Sequence, residues 1–566
     1  MNNNILKFAA AALMTTSVLT SCIEEYEPQQ SYASQEEMAD ATFDGLAKSI
    51  TAQMSGSFIY GGSDDASPYD CGYPALMIEH DIMGQDITPY DVDGSEWFAS
   101  WYESSVALGP QYAVCQLPWT YYYKWINSAN LVIKTAGENP TESQYDGLGI
   151  AYCMRAFFYF DLARLYAPKT YAADKTALTV PKVTESNTYD DDNNPRMTNE
   201  EAYKFILSDL DNAEKYIANY SRQDITTPDL SVVYGLKARV YLTMEDWTNA
   251  EKYAKLAQEG YAVMSESEYT SRTAGFNTAN SAWMFGLQYL ATDDNITCND
   301  GDSSWGSKVI TEQGSGCGYA ANYGYPLYID AHLYNSMPAT DCRKKCFVRP
   351  GINDMEVLDK DGNYDANATY QAQVEALSDY SDYPEYLYEG KQSYDYITVK
   401  FRNAGGASGV NNQYEGFCVA VPLMRVEEMY LIEAEAVGMQ PGREQEGIEL
   451  LTAFAKKRDA NYVYGTHNEA YGNTTTSAFQ NEVWWQRRAE FWCEGLATFD
   501  IKRLQKGIIR SYEGSNHVDL YRWNTTSVPE WMNMCLPRSE TSYNKGITEN
   551  NPTPSPKTSN DDEYVW

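Results

Sequence analysis

Apolar side chains recur every three or four residues in two blocks of this chain and lose that spacing between about 262 and 420, which sets both the scaffold type and where it is interrupted. Trp119, Tyr122, Tyr123, Ile126, Ala129 and Ile133 share one helical face after Pro118, and Pro140 closes the segment. Ala151, Met154, Phe158, Leu162 and Leu165 repeat the pattern up to Pro168, so the two segments predict an antiparallel helical pair. Thr198 and Glu201 have capping-box spacing ahead of Ala202, Ile206, Leu210, Ala213 and Ile217. Segments 231–244 and 248–259 are joined by Glu245, Asp246 and Trp247, with Ala250, Tyr253 and Ala254 where a tetratricopeptide-like unit places its small and large packing residues. The period returns at Leu423, Val426, Tyr430, Ala434 and Val437, then over 444–458 and 478–495. The expected fold is all-α, mainly helical. Tetratricopeptide-like helix pairs form a scaffold over about 31–261 and 421–510, and a large loop-rich insertion at about 262–420 contains a few short strands such as Trp283–Phe285 and Ile397–Val399.

Composition limits what such a scaffold can serve. With 79 acidic and 42 basic residues the net charge is -37, a field that repels phosphate backbones, so nucleic acid is excluded as a ligand. His80, His332, His467 and His517 are too scattered to form an HExxH pair, and no metal site is expected. Forty-eight tyrosines and 13 tryptophans bring the aromatic content to 14%, more than a core of this size consumes, so some rings are expected at the surface. The long irregular insertion, dense in Gly, Asn and aromatic residues, is where a ligand surface is expected.

The N-terminus reads as an export signal over residues 1–21: Lys7 precedes an apolar run from Phe8 to Leu19 that is too short to span a bilayer. Leu19, Thr20, Ser21 and Cys22 resemble a bacterial lipobox, with Cys22 as the lipidated first residue of the mature chain. Residues 22–30 follow as an acidic tether containing Glu24, Glu25 and Glu27, a stretch similar to the surface-export signal of Bacteroidetes lipoproteins. The folded body is expected from 31 to 566 as a single domain. Cys153 and Cys493 fall within apolar helical patterns as core thiols; Cys342 and Cys346, four apart, could bind metal or pair, but no second CxxC-like couple accompanies them and burial accounts for them better.

Several blocks occur in an order similar to that of the SusD/RagB family of outer-membrane nutrient-binding lipoproteins, over nearly the whole mature length. They are Asn130 to Ile133, Arg155 to Tyr166, Asp209 to Ala213, Ala238 to Leu242, Met424 to Glu428 with Glu433 to Ala436, Arg487 to Glu490 with Glu494 and Gly495, and Leu536 to Glu540 with Asn550 to Pro552. Gln486 and Ala497 depart from the family pattern, where Glu and Arg are frequent, so the ion-pair network of that late helix is expected to be remodelled. The resemblance implies a lipid-anchored protein on the outer face of the outer membrane. It would capture an oligosaccharide, or in some relatives a peptide, deliver it to a SusC-like TonB-dependent transporter, and break no bond itself.

Sugars stack their C–H faces on aromatic rings and exchange hydrogen bonds with amide and carboxylate edges. Two stretches offer that chemistry. The first, Asp91 to Tyr102, supplies Trp97, Trp101 and Tyr102, although the four-residue spacing of its tryptophans equally suits a helix core. The second, Asn299 to Tyr325, supplies Trp305, Tyr319, Asn322, Tyr323 and Tyr325 among glycines, with Trp305 and Tyr323 expected to be exposed. Tyr380, Tyr383, Tyr386, Tyr388, Tyr394 and Tyr396 read as half-buried rings of a solvated loop. No cofactor is expected; calcium is carried as the alternative at Asp359 to Asp365, but the glycine there is at the fourth position and Tyr370 at the twelfth, and a hairpin turn at Asp361 and Gly362 accounts for it better. Glu490 and Glu494 would be the carboxylates of a surface glycosidase, the rival class; beside Arg487 and Arg488 they read as structural ion pairs.

Overall fold

The computed structural model describes residues 43–566 except 57–68, 93–96, 104–107, 189–190 and the single positions 315, 317, 390, 392, 474 and 556. Cys22, the export signal, the tether and the Asp93 to Glu96 part of the first candidate stretch lie outside the described residues. The frame is built from α1 (Phe43–Ala52), α2 (Tyr73–Ile82), α3 (Ala113–Ala136), α4 (Tyr145–Tyr166), α5 (Asn199–Ile217), α6 (Leu230–Met244) and α7 (Trp247–Ala257). After the insertion come α8 (Val426–Gly438), α9 (Glu444–Ala455) and α10 (Ala478–Glu490). Among the described residues no helix is long and apolar enough to cross a membrane.

Helix α4 packs against α3 on one side and α5 on the other, which is why nearly all of its side chains are buried. The stack continues through α6 and α7, and α7 then packs directly on α8. The two helical blocks are therefore one frame, and the residues between them leave it and return. Thr198 caps α5 as its spacing predicts, accepting from the Glu201 amide while Glu201 reaches back to the Thr198 amide at 2.8 Å.

Helix α3 begins at Ala113, so Pro118 lies inside it and does not mark its start. The proline withdraws one N–H near the helix N-terminus, a loss offset by the buried face along the remaining turns. Leu423 belongs to a strand and not to α8. Ala420–Arg425 is buried throughout and pairs antiparallel with Trp283–Gln288 in a two-stranded sheet, so backbone pairing outweighs the apolar spacing.

The insertion has its own core of Val348, Ile352, Leu377, Leu387, Tyr394, Ile397 and Val399, against which Tyr380, Tyr388 and Tyr396 pack half-buried, as their sequence setting predicts, whereas Tyr394 is a buried core ring and not a half-buried one. It also contains a twelve-residue helix, Ala366–Leu377, capped by Asp365. Its buried side chains are Thr369, Gln373 and Leu377, two of them polar, so no apolar stripe marked it in the sequence. Asp359 to Asn363 forms the expected hairpin, with the Asn363 carbonyl accepting from the Asp359 amide at 2.7 Å and Gly362 at φ 82°. Cys153, Cys342, Cys346 and Cys493 are buried free thiols.

Candidate functional site

A short antiparallel pair, Ile87–Pro89 with Leu327–Ile329, pins the two candidate stretches side by side. Asp91 to Tyr102 follows the first strand, and Asn299 to Tyr325 leads into the second. The second stretch then folds around Phe417: a Cβ at Gly306 would lie 2.6 Å from that side chain, too close to fit without a shift, and Gly301 and Gly318, at 3.1 and 3.0 Å, also take positive φ of 79° and 91° that favours glycine.

This packing separates the predicted rings into two groups. Trp305 opens the short helix Trp305–Val309 and points inward; it is 0% exposed and meets Phe401 edge-on at 5.4 Å, contrary to the exposure expected of it. Trp101 and Tyr102 lie in the helix Ala99–Glu103 and are also buried, so neither is a surface ring. The Tyr102 hydroxyl is 2.9 Å from His517 Nδ1 and its ring lies 4.3 Å from the Arg510 guanidinium. Burial pushes the Tyr102 phenol pKa upward. All three are core residues because the helices that carry them turn those faces inward.

Trp97, Tyr319 and Tyr323 come together as a strip. Trp97 and Tyr319 meet edge-to-face at 6.1 Å, and Tyr319 and Tyr323 lie nearly parallel at 5.1 Å with 29° between planes. Tyr323 is 49% exposed, and the other two are half-buried. Tyr69 extends the strip, 6.2 Å from Trp97; it carried no sequence signal because its partners lie far along the chain. Beneath the strip the buried Lys308 places its ammonium 3.9 Å from the Tyr319 ring centroid. The half-buried Asn322 and Tyr325 shape the turn through their amides, which donate to the Gly318 and Tyr319 carbonyls at 2.9 and 3.0 Å.

Carboxylates edge the strip. Asp302 is buried and accepts the Gly318 amide at 2.8 Å and the Tyr323 hydroxyl; burial raises its pKa, an effect that the Gly318 amide and Lys308 partly oppose. Asn299, Asp300 and Gly301 run through left-handed backbone at φ 48°, 55° and 79° and leave Asp300 exposed, where the Tyr414 hydroxyl donates to its Oδ1 at 2.7 Å.

Glu490 and Glu494 lie elsewhere and are buried. Glu490 accepts from Arg458 at 2.8 and 3.0 Å and from Arg425 at 3.1 Å; Glu494 pairs with Arg425 at 2.8 Å and Lys400 at 2.7 Å. Burial alone would raise the Glu490 pKa, but Arg458 and Arg425 reverse that and hold it well below the ordinary carboxyl range. Ala497 donates its amide to Asp81 at 2.9 Å, and beside it a cavity of about 20 Å³ lined by Asp81, Arg487, Arg488 and Asp500 has room for a water and not for a sugar ring.

A family model described as starch-binding and associating with the outer membrane matches residues 80–242, and one described as the SusD family matches 355–566. A SusD-like protein of Formosa agariphila is 24% identical over 525 residues, covering 88% of this chain and 90% of its own. The structure of a SusD-like carbohydrate-binding protein from Bacteroides vulgatus superposes with a TM-score of 0.67 at 21% identity, covering 89% of this chain and 96% of that one. A surface glycan-binding protein from Bacteroides thetaiotaomicron in complex with laminarihexaose gives a TM-score of 0.61 at 14% identity, covering 90% and 98%.

Proposed function

Because this chain belongs to the SusD/RagB family, we propose that it is a cell-surface binding lipoprotein whose strip of Tyr69, Trp97, Tyr319 and Tyr323 holds a glycan chain and delivers it to a SusC-like TonB-dependent transporter. The observation that carries the reading is an ordered row of four rings beside Asp300, Asp302 and Asn322, a surface of flat apolar faces with hydrogen-bonding edges. Sugar C–H faces would stack along the row while hydroxyls donate to the exposed Asp300, with the buried Asp302 holding Tyr323 in place. The laminarihexaose complex of a relative supports the ligand class. Lipidation at Cys22 would hold the protein at the membrane, with the acidic body standing clear of anionic lipid.

A hydrolytic role is not proposed, because Glu490 and Glu494 are buried and engaged by Arg425, Arg458 and Lys400, with no face open to a substrate. The test is titration calorimetry of the soluble chain starting at residue 23 with laminarin oligosaccharides and other glucans. Saturable binding without new reducing ends is expected, weakened by about 1–3 kcal/mol in Tyr323→Ala or Trp97→Ala. Binding that neither variant weakens places the site elsewhere, and accumulation of new reducing ends would establish hydrolysis.

A further inference from the structure

The polar frame of the strip carries one sign of charge. The strip is bordered by residues 69–92, 97–103, 283–330 and 404–424, which meet through Trp97 with Tyr319, Tyr414 with Asp300, and Phe417 with Gly301, Gly306 and Gly318. These segments hold thirteen carboxylates, a single lysine, Lys308, and a single histidine, His80. Asp86 and Glu312 are paired with Arg488 and Arg402 from outside them, Asp330 lies beside His517, and burial raises the pKa of Glu79 and of Asp81, so the negative charge that reaches solvent comes from the exposed and half-exposed carboxylates alone. Lys308 is buried beneath Tyr319, and His80 is fully buried with its pKa pushed down to about 4 by that burial, so neither presents positive charge to a bound molecule. Lys124 on α3 is half-buried and faces the field of Asp70. Asp91, Asp294 and Asp300 are exposed, and Asp293, Glu103 and Glu415 are half-exposed.

We propose that the strip accepts uncharged glycans and rejects those bearing carboxylate or sulfate groups, a specificity that rests on the strip being the glycan site. An anionic sugar needs a guanidinium or ammonium to replace its lost hydration, and these segments offer none at the surface. Their fixed carboxylates repel an anion across a Debye length of about 8 Å at physiological ionic strength. A neutral sugar meets the same groups as acceptors: its hydroxyls donate to Asp300, which Tyr414 holds in place.

A matched pair separates charge from shape: a neutral β-glucan oligosaccharide and the same oligosaccharide with its primary hydroxyls oxidised to carboxylates, each titrated into the soluble chain at low and high salt. The neutral form is expected to bind, and the oxidised form to bind at least about tenfold more weakly at low salt, with the gap narrowing at high salt and in Asp300→Asn. Equal or tighter binding of the oxidised form, still weakened by Tyr323→Ala, overturns the charge selection while leaving the strip as the site. A wide panel of neutral and anionic glycans that all fail to bind overturns both.

Discussion

Trp305 and Tyr323 have similar sequence settings, large rings in a Gly- and Asn-rich stretch, yet one is sealed against Phe401 and the other lies open. What separates them is tertiary: the three glycines around Phe417 draw the helix carrying Trp305 inward and leave the 318–325 turn outside. Ring content was therefore legible in the sequence and ring exposure was not. Trp305→Ala is expected to lower stability by about 3–5 kcal/mol, read as a drop in melting temperature; an unchanged melting temperature would contradict its place in the core. The ion pairing of Glu490 was legible from its arginine neighbours, but its partners are Arg425 and Arg458 rather than Arg487 and Arg488. Its folded pKa lies below the unfolded value of about 4.3, so the unfolded state binds more protons. The stability it lends is fully present above that value and is lost as pH falls towards the folded pKa. Glu490→Gln is expected to cost about 3–5 kcal/mol at neutral pH by leaving buried guanidinium groups uncompensated, and the deficit against the parent chain should shrink at pH 3. A deficit that does not change with pH would show that the carboxylate charge is not what matters.

Among the elements, the helices with an apolar stripe were readable and the exceptions have definite causes. Helix α3 runs through Pro118 because the buried face along its remaining turns outweighs the one intrahelical hydrogen bond that the proline withdraws, and Leu423 joins a strand because Trp283–Gln288 lies ready to pair with it. Helices α8 and α9 cross closely at Gly438 and Gly447, where a Cβ on Gly447 would come within 2.4 Å of the Gly438 Cα. Backbone cannot yield as a side-chain tip can, so Gly447→Ala is expected to destabilise the chain by about 1–3 kcal/mol despite alanine's better helix propensity. A gain in stability, measured by denaturant unfolding, would mean that the two helices part without cost.

At the scale of the whole molecule, the frame and the site have different sequence signatures because they are stabilised differently. The frame buries apolar stripes between neighbouring helices, and that periodicity is printed along the chain. The site assembles from the segments around residues 69, 97, 300–325 and 414, joined by the pairing of Ile87–Pro89 with Leu327–Ile329 and by packing on Phe417, and no local pattern announces such a meeting. Composition pointed to the insertion, which supplies Tyr319 and Tyr323, while Tyr69 and Trp97 come from the N-terminal part. These rings are expected to lie against sugar. A crystal structure of the soluble chain with a bound oligosaccharide should show pyranose rings stacked on Tyr323 and Tyr319 along the line to Trp97, with hydroxyls at Asp300; an oligosaccharide ordered anywhere else on the surface would rule the strip out as the binding site.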